Sequence, residues 1–200
     1  MLMEPAAIRS FAELDSAGLE QAAEVFVDSY RKELEEVSRD RTVLARLIKQ
    51  SFVKQQFYAA IQDGRVAGIM AYSTNKTRSQ RFDRRELQQA AGRFKGWLLH
   101  GIFEKQFHAP LELGEDECYL EAVATDPAYR GKGIATALLN HLLEHLPYRV
   151  FTLEVVDTNV KAIRLYEKQG FSVFKSRKQR WFRRRLGFNE RLYMRNRISR

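Results

Sequence analysis

Hydrophobic positions along the chain alternate between helix-like and strand-like spacing. Residues 8–11 (IRSF) begin with a short β-type run, and two segments with apolar residues three or four positions apart follow it. Asp15 or Ser16 can cap the first of these helices, which runs to about Tyr30, and Asp40 can cap the second. The pattern therefore predicts one strand followed by two helices.

A β-hairpin is predicted for residues 57–74 (FYAAIQDGRVAGIMAYST). Asp63 and Gly64 separate two β-type runs, and this residue pair is favoured in tight hairpin turns because both positions must tolerate positive φ. The hairpin follows the two helices directly.

The segment from about residue 84 to residue 107 has the spacing of one amphipathic helix. Gly92, Gly96 and Gly101 weaken this helix, so a bend or a break is possible within it. Its apolar positions, which recur every three or four residues, are Leu87, Ala91, Phe94, Leu98 and Ile102.

The second half of the chain predicts strand, helix, strand, helix and two final strands. Residues 117–125 (ECYLEAVAT) and 150–156 (VFTLEVV) have strand composition, and the helical pattern between them makes this unit a parallel crossover. Asn159 can cap the next helix, and Gly170 suits the left-handed residue after its end. Residues 172–176 (SVFKS) and 191–197 (RLYMRNR) resemble strands.

Composition predicts one compact α/β domain over residues 1–200. The chain has 200 residues, of which 44% are hydrophobic, and no apolar run approaches the roughly 20 residues that span a bilayer. Cys118 is the only cysteine, so an intrachain disulfide and a cysteine-based metal site are excluded. We therefore expect a cytoplasmic protein with no membrane partner.

The net charge of +9 is concentrated at the end of the chain. Residues 176–200 hold ten of the 34 Lys/Arg residues and one of the 25 Asp/Glu residues, so residues 1–175 carry 24 of each sign. Basicity is therefore a property of this last segment and says little about the rest of the protein.

A glycine-rich turn precedes the helix at residue 134. The stretch YRGKGIATALL begins at Tyr129, and glycines at 131 and 133 let main-chain amides approach a ligand at a helix N-terminus, which favours anions. The sequence fits neither the phosphate loop of nucleotide hydrolases nor the dinucleotide fingerprint GxGxxG. Taken alone, the turn also fits a simple connection between strand and helix.

Two motifs in this region resemble those of the GCN5-related N-acetyltransferases. VATDPAYRGKGIATALL is similar to the family's central motif, [RQ]-x-x-G-x-[GA], whose positions are filled by Arg130, Gly133 and Ala135. The second signature, N-x-x-A-x-x-L-Y-x-x-x-G-F, is matched by Asn159, Ala162, Leu165, Tyr166, Gly170 and Phe171. The motifs span about residues 119–174. The resemblance implies a mixed, mostly antiparallel sheet with a central splayed pair of parallel strands flanked by helices.

The resemblance also implies acetyl-CoA as cofactor. In this family the pantetheine arm lies between the splayed strands, the pyrophosphate is held by main-chain amides of the glycine turn, and the second signature meets the cofactor from the other side. The residues implied to contact the cofactor are Val123, Ala124, Thr125, Arg130, Gly131, Lys132, Gly133, Ile134, Ala135, Thr136, Asn159 and Tyr166.

Acetyl transfer to an amine needs a neutral nucleophile, an oxyanion donor and a proton for the departing thiolate. The resemblance assigns the proton donor to Tyr166, whose alternative is a core tyrosine. We expect Glu121 to be the base, since it is a carboxylate within an apolar strand, on the same side as Val123 and Thr125 by the two-residue period unless a bulge shifts the register. The alternatives are a structural salt bridge at Glu121 and Glu154 as the base.

The sequence thus predicts an N-acetyltransferase that acts on a primary amine by direct attack in a ternary complex. The acceptor, a small molecule or a protein amine, is not determined. The alternative is a CoA-binding sensor or a nucleic-acid-binding module without turnover.

Two departures from the family plan affect the acceptor side: a helical insertion at about residues 75–116 and the basic segment at 176–200. In the basic segment, Trp181 and Phe182 beside arginines also suit a nucleic-acid contact.

The remaining chemistry-bearing residues favour simple structural roles. Cys118 lies on a predicted strand with no base beside it in the sequence, which indicates a buried small residue. His141 and His145 lie four apart on one helix, but no third ligand is evident, so no metal site is expected.

Overall fold

The computed structural model describes residues 6–179 and 187–199, which form a seven-stranded mixed sheet flanked by helices. The strands are β1 (Ala7–Ser10), β2 (Phe57–Gln62), β3 (Arg65–Ser73), β4 (Glu117–Thr125), β5 (Val150–Val156), β6 (Ser172–Lys178) and β7 (Glu190–Arg197). Their order across the sheet is β1-β2-β3-β4-β5-β7-β6. β4 and β5 are parallel, and the other neighbouring strands are antiparallel. The fold class expected from the sequence is confirmed.

Four of the seven described helices, α1, α3, α4 and α7, begin at a capping side chain. They are α1 (Ser16–Ser29), α2 (Arg31–Leu34), α3 (Arg41–Ser51), α4 (Arg84–Ala91), α5 (Arg93–Phe103), α6 (Ile134–His145) and α7 (Val160–Lys168), and a π-helical turn (Glu104–His108) follows α5. Asp15 accepts a hydrogen bond from the Gly18 amide at 2.8 Å, and Asp40 accepts one from the Thr42 amide at 2.8 Å. These caps satisfy amides that would otherwise lack a partner.

The two turns with the clearest sequence signals have the expected backbone. Asp63 (φ 52°) and Gly64 (φ 71°) make the β2–β3 turn with positive φ at both positions. Gly170 (φ 84°) ends α7, and Phe171, which follows it, is buried and donates its amide to the Tyr166 carbonyl at 3.0 Å. Both local predictions are confirmed.

Two apolar clusters lie on opposite faces of the sheet. The first packs α1, α3 and α4 against β2, β3 and β4, and it is rich in aromatic rings such as Phe11, Phe52 and Phe57. The second packs α6 and part of α7 against the other face, with Leu138 and Leu142 fully buried. No described helix is long and apolar enough to cross a membrane.

The helix expected over residues 84–107 is broken at one of the glycines that weaken it, so it is not one continuous helix. Gly92 (φ 87°, ψ 158°) divides it into α4 and α5, so the apolar residues of α5 do not continue the apolar face of α4. Leu87 is fully buried as expected, but Phe94 is 79% exposed, and Leu98 and Ile102 are also exposed. α5 instead contacts the first cluster through Leu99 and Phe103.

The close approach of α4 and α5 depends on Gly96. A Cβ at this position would lie 2.4 Å from Gln88 Cα and 2.5 Å from the Leu87 carbonyl oxygen, and these backbone atoms cannot rotate away. We therefore expect Gly96→Ala to lower the free energy of unfolding by about 1–3 kcal/mol, measured by urea denaturation.

Gly101→Ala is the matched control, since it lies on the same helix and its Cβ would meet nothing within 4 Å. Alanine should stabilise the helix there by up to about 1 kcal/mol. Equal stability of the two variants would contradict the helix contact.

Candidate active site

The parallel strands β4 and β5 part after a few residues. Their pairs run from Glu117 with Val150 to Leu120 with Leu153, whereas β4 continues to Thr125 and β5 to Val156 without further pairing between them. The sheet therefore has an opening at its centre, and Glu121 and Glu154 are the first residues beyond the last pair.

A bulge at Ala122 turns β4 as it reaches this opening. Ala122 has φ 53°, and the register of β4 with β3 shifts between the Ala71–Glu121 pair and the Ile69–Ala124 pair. As a result Leu120 and Val123 pack into the same apolar cluster although they are three residues apart. The expectation that Glu121 shares its face with Val123 and Thr125 is therefore wrong, because the bulge exchanges the faces.

A cavity of about 490 Å³ lies beside the opening. Its lining includes seven of the residues that the family resemblance implied for the cofactor, namely Val123, Ala124, Thr125, Arg130, Ala135, Asn159 and Tyr166. It also includes four residues that sequence reasoning did not assign to the cofactor, Ser29, Lys161, Ala162 and Leu165. The structure thus brings β4, the start of α6, α7 and the end of α1 together at one site.

The other residues expected at the cofactor belong to the glycine turn. Gly131 (φ 77°) and Gly133 (φ 80°) have left-handed backbone, and Gly133 is the N-cap of α6. A Cβ at either position would meet nothing within 4 Å, so the space above the turn is open. Lys132 holds its ammonium 4.9 Å from the Tyr129 ring centroid, whereas the Ile134 side chain is buried in the second cluster, which leaves only its main chain for a ligand.

The main-chain amides at the start of α6 are unused. The first helical hydrogen bond runs from the Ala137 amide to the Gly133 carbonyl at 2.9 Å. Within the described residues, the amides of Gly131 and of residues 133–136, Thr136 included, have no acceptor. A group of unpaired N–H donors at a helix N-terminus suits an anion such as a diphosphate.

Side chains hold the rim of the cavity in place. Arg130 Nε donates a hydrogen bond to the Thr125 carbonyl at 3.3 Å, which ties the turn to the end of β4. Asn159 Oδ1 accepts from the Ala162 amide at 3.3 Å and so caps α7 as expected.

Two tyrosines lie near the opening. Tyr166 is 6% exposed, and burial raises the pKa of its phenol to about 12, so it remains protonated at neutral pH. Tyr30, at the end of α1, donates its hydroxyl to the Val123 carbonyl at 3.2 Å, and burial raises its pKa as well. From the sequence, Tyr30 is expected only as the approximate end of the first helix. No local pattern indicates its long-range contact with Val123.

Glu121 is held by several partners in the structure. Oε1 accepts hydrogen bonds from the hydroxyls of Ser73 and Ser79, the latter at 2.7 Å, and Oε2 lies 3.7 Å from Arg78 Nη2. The Arg78 side chain is 10% exposed and also donates to the Ala109 carbonyl at 3.1 Å. This arrangement matches the salt-bridge alternative for Glu121 and connects β4 to the segment between β3 and β4.

Glu154 occupies the corresponding position on β5. It forms an ion pair with Arg191, and Tyr193 faces it from β7. The pKa of Tyr193 is raised by burial and by the adjacent Glu154 carboxylate. Each side of the opening therefore carries one glutamate with one arginine partner.

The remaining candidates lie away from the cavity. Cys118 is fully buried, and burial raises the pKa of its thiol, which favours the structural role. His141 and His145 stack with ring centroids 4.1 Å apart. Across residues 6–179 and 187–199, no group of three or more His, Cys, Asp or Glu side chains is arranged to hold a metal ion. Trp181 and Phe182 lie outside the described residues.

Comparison with known proteins identifies the family. The model of the acetyltransferase (GNAT) family matches residues 19–171, which include both sequence motifs and every residue of the cavity. The chain belongs to the GNAT family.

The curated relatives of this GNAT chain match it over short segments. A ribosomal protein bS18-alanine N-acetyltransferase of Escherichia coli is 43% identical over 60 residues, covering 28% of this chain and 40% of the relative. A spermine/spermidine N(1)-acetyltransferase of Bacillus subtilis is 30% identical over 89 residues, covering 40% of this chain and 53% of the relative. These matches span less than two thirds of the length of either relative.

Solved GNAT structures match the chain over nearly its whole length. An N-acetyltransferase of Staphylococcus aureus has a TM-score of 0.62 and 25% identity, covering 95% of this chain and 100% of that structure. A ribosomal-protein-S18-alanine N-acetyltransferase of Escherichia coli has a TM-score of 0.58 and 20% identity, covering 97% and 94%. The second likeness shows a shared fold.

Arg78→Met should destabilise the protein because it leaves the Glu121 carboxylate largely buried without its cation. We expect a loss of about 2–3 kcal/mol in the free energy of unfolding at pH 7, measured by denaturant titration. The double variant Arg78→Met/Glu121→Gln should recover part of this loss.

Lys76→Met is the control, since Lys76 pairs with Glu115 at 3.2 Å but both side chains are more than 70% exposed. It should change stability by less than about 1 kcal/mol. Equal losses of stability in Arg78→Met and Lys76→Met would show that the ion pair between Arg78 and Glu121 does not stabilise the opening.

Proposed function

We propose that this GNAT protein is an acetyl-CoA-dependent N-acetyltransferase that acetylates a primary amine by direct attack in a ternary complex. The observation that carries the proposal is the parting of β4 and β5 beside a cavity with unused amides at the start of α6. The names of the relatives, which include a protein alanine and a polyamine as acceptors, agree with amine acetylation but do not single out one acceptor.

The residues present fit a long cofactor with a diphosphate at one end. The open space above Gly131 and Gly133 gives access to the amides of residues 133–136, which would hold the diphosphate. Val123 and Thr125, where β4 still pairs with β3 but no longer with β5, would offer main-chain groups to the arm. Bound there, acetyl-CoA would supply an activated acetyl thioester at the opening.

Tyr166 is the proton donor in this proposal. Its phenol lines the cavity, is buried on α7 and keeps its proton at neutral pH, so it can donate to the departing thiolate. Tyr30 has a positioning role, because its hydroxyl bonds the Val123 carbonyl and so fixes the bulged end of β4.

Glu121 and Glu154 are the two candidates for removing a proton from the acceptor amine. Both lie at the opening, and both are already engaged by an arginine. Glu121 is the more enclosed, since it also accepts from two serine hydroxyls and both of its oxygens contact partners, so it would act through a water relay. Glu154 is the alternative, since its one ion-pair partner among the described residues is Arg191.

Gly133→Ala should weaken binding of CoA by about tenfold or more, because the new Cβ enters the open space above the turn and strains a backbone at φ 80°. Isothermal titration calorimetry with CoA measures the change. The matched control is Gly64→Ala, in the β2–β3 turn, which also has positive φ and open space. Unaltered CoA affinity in Gly133→Ala would count against the cofactor site.

Tyr166→Phe should lower kcat by about 100-fold with little change in CoA affinity, since only the proton donor is removed. Thiol release over a panel of amines measures turnover.

Because burial raises the Tyr166 pKa to about 12, the phenol holds its proton from pH 7 to 10, and its ionisation should cause no loss of activity in that range. Tyr148→Phe, in the connection between α6 and β5, is the control.

Wild-type turnover in Tyr166→Phe would remove the assigned role. A wild-type protein that binds acetyl-CoA and consumes none with any amine would instead be a sensor, which is the alternative on the same fold.

A further inference from the structure

One half of the sheet has a face that neither apolar cluster covers. In the register of β4, β5, β7 and β6, alternate residues point away from α6 and α7 toward this side. We call it the polar face. Its charged and aromatic members are Glu117, Tyr119, Glu121, Glu154, Phe174, Lys175, Arg177, Arg191, Tyr193, Arg195 and Arg197.

The inner part of the polar face is neutralised by ion pairs. Glu154 pairs with Arg191, and Arg195 Nη2 lies 3.9 Å from Glu117 Oε1. Glu121 has its own partner in Arg78. Glu121 and Glu154 lie at the opening where the acetyl group would be delivered, whereas Glu117 lies at the other end of the paired stretch of β4 and β5.

The outer part of the polar face has cations in excess. Lys175, Arg177 and Arg197 are exposed and make no ion pair within the part of the chain that the structure describes. Lys175 holds its ammonium 5.6 Å from the Tyr193 ring centroid, and Arg177 is paired with Arg191 of β7 in the sheet, so both lie on this face. The face therefore carries paired carboxylates on β4 and β5 and the unpaired cations Lys175 and Arg177 on the edge strand β6.

The register gives the distance between these two regions. Glu154 faces Tyr193 on β7, and Tyr193 faces Lys175 on β6, so two strand spacings separate the carboxylate row from the cation row. Two spacings amount to about 10 Å, which an extended peptide covers with about three residues.

We infer that the acceptor is an acidic polypeptide whose amine enters the opening while its carboxylates, about three to five residues away, bind Lys175 and Arg177. This inference rests on the proposed function, because it assigns a substrate class to the same opening. The carboxylates of the opening suit the amine end, and the cations of β6 suit the acidic residues that follow.

A single-stranded nucleic acid fits the polar face less well. It has regular negative charge along its whole length, whereas the part lying over the opening would meet Glu121 and Glu154 in ion pairs that carry no excess positive charge. It also offers no aliphatic amine to the opening. The confinement of the excess cations to the outer part of the face therefore favours a peptide.

The test compares acceptor peptides of equal length that have a free N-terminal amine and differ only at positions three to five. These positions carry Glu, Gln or Lys, and a two-residue peptide with the same N-terminus is too short to reach β6. With acetyl-CoA saturating, we expect kcat/KM of the Glu peptide to exceed that of the Gln peptide by about tenfold, and the advantage to shrink with added salt. The Lys peptide should be the poorest of the three long peptides.

The variant that tests the surface is Lys175→Gln/Arg177→Gln. It should reduce the ratio of kcat/KM for the Glu and Gln peptides toward one, because both cations are removed from the β6 edge. Arg46→Gln/Lys54→Gln is the matched control, since it removes two exposed cations on α3 and on the short 3₁₀ turn (Lys54–Gln56) before β2. The control should keep the full ratio.

Fluorescence anisotropy with a C-terminally labelled Glu peptide gives a readout that does not depend on turnover. Equal turnover of the Glu and Gln peptides would overturn the inference and leave the proposed function intact. Tight binding of the Glu peptide without any thiol release would support peptide binding by Lys175 and Arg177 but contradict the proposed function. Binding of single-stranded RNA that is lost in Lys175→Gln/Arg177→Gln, with no binding of the Glu peptide, would assign the face to nucleic acid and overturn the inference.

Discussion

The rest of the site depends on the separation of β4 and β5. Parallel strands pair along their length when their residues stay in register, but here the pairing ends at Leu120 and Leu153. The bulge at Ala122 turns β4 away, and Tyr30 occupies the Val123 carbonyl from α1. Because the sheet is interrupted at its centre, main-chain groups that a continuous ladder would consume become available to a ligand.

The opening has two chemically different sides. On one side lie the cavity, the glycine turn and Tyr166, which suit a long anionic cofactor with a thioester at its end. On the other side lie two glutamates, each held by an arginine. The bulge produces this division, since it places Val123 with the α6 side and leaves Glu121 facing the polar side. An enzyme that joins two substrates needs such a division so that each approaches the reacting carbon from its own direction.

The family match covers both sides of the opening. The GNAT family model matches residues 19–171, and the curated matches cover 60 or 89 residues, whereas the solved structures share the whole fold at low identity. The matched residues include the cavity, both motifs, the two glutamates of the opening and the segment between β3 and β4, whereas β6 and β7 lie beyond residue 171.

The sequence by itself determined the order of the elements, the β2–β3 turn, the caps of α1, α3 and α7, and the glycine turn before α6, because each depends on residues a few positions apart. Local interactions with adjacent residues set the backbone conformation at Asp63, Gly64, Asn159 and Gly170. The tertiary structure decided the break at Gly92, the faces of β4, the contact of Tyr30 with Val123 and the partners of Glu121. These features depend on residues far apart in the chain: Tyr30 is 93 positions from Val123, and Arg78 meets Glu121 only because β3 and β4 are neighbours. A periodic pattern records which side a residue prefers, but a one-residue bulge changes that side for every residue that follows.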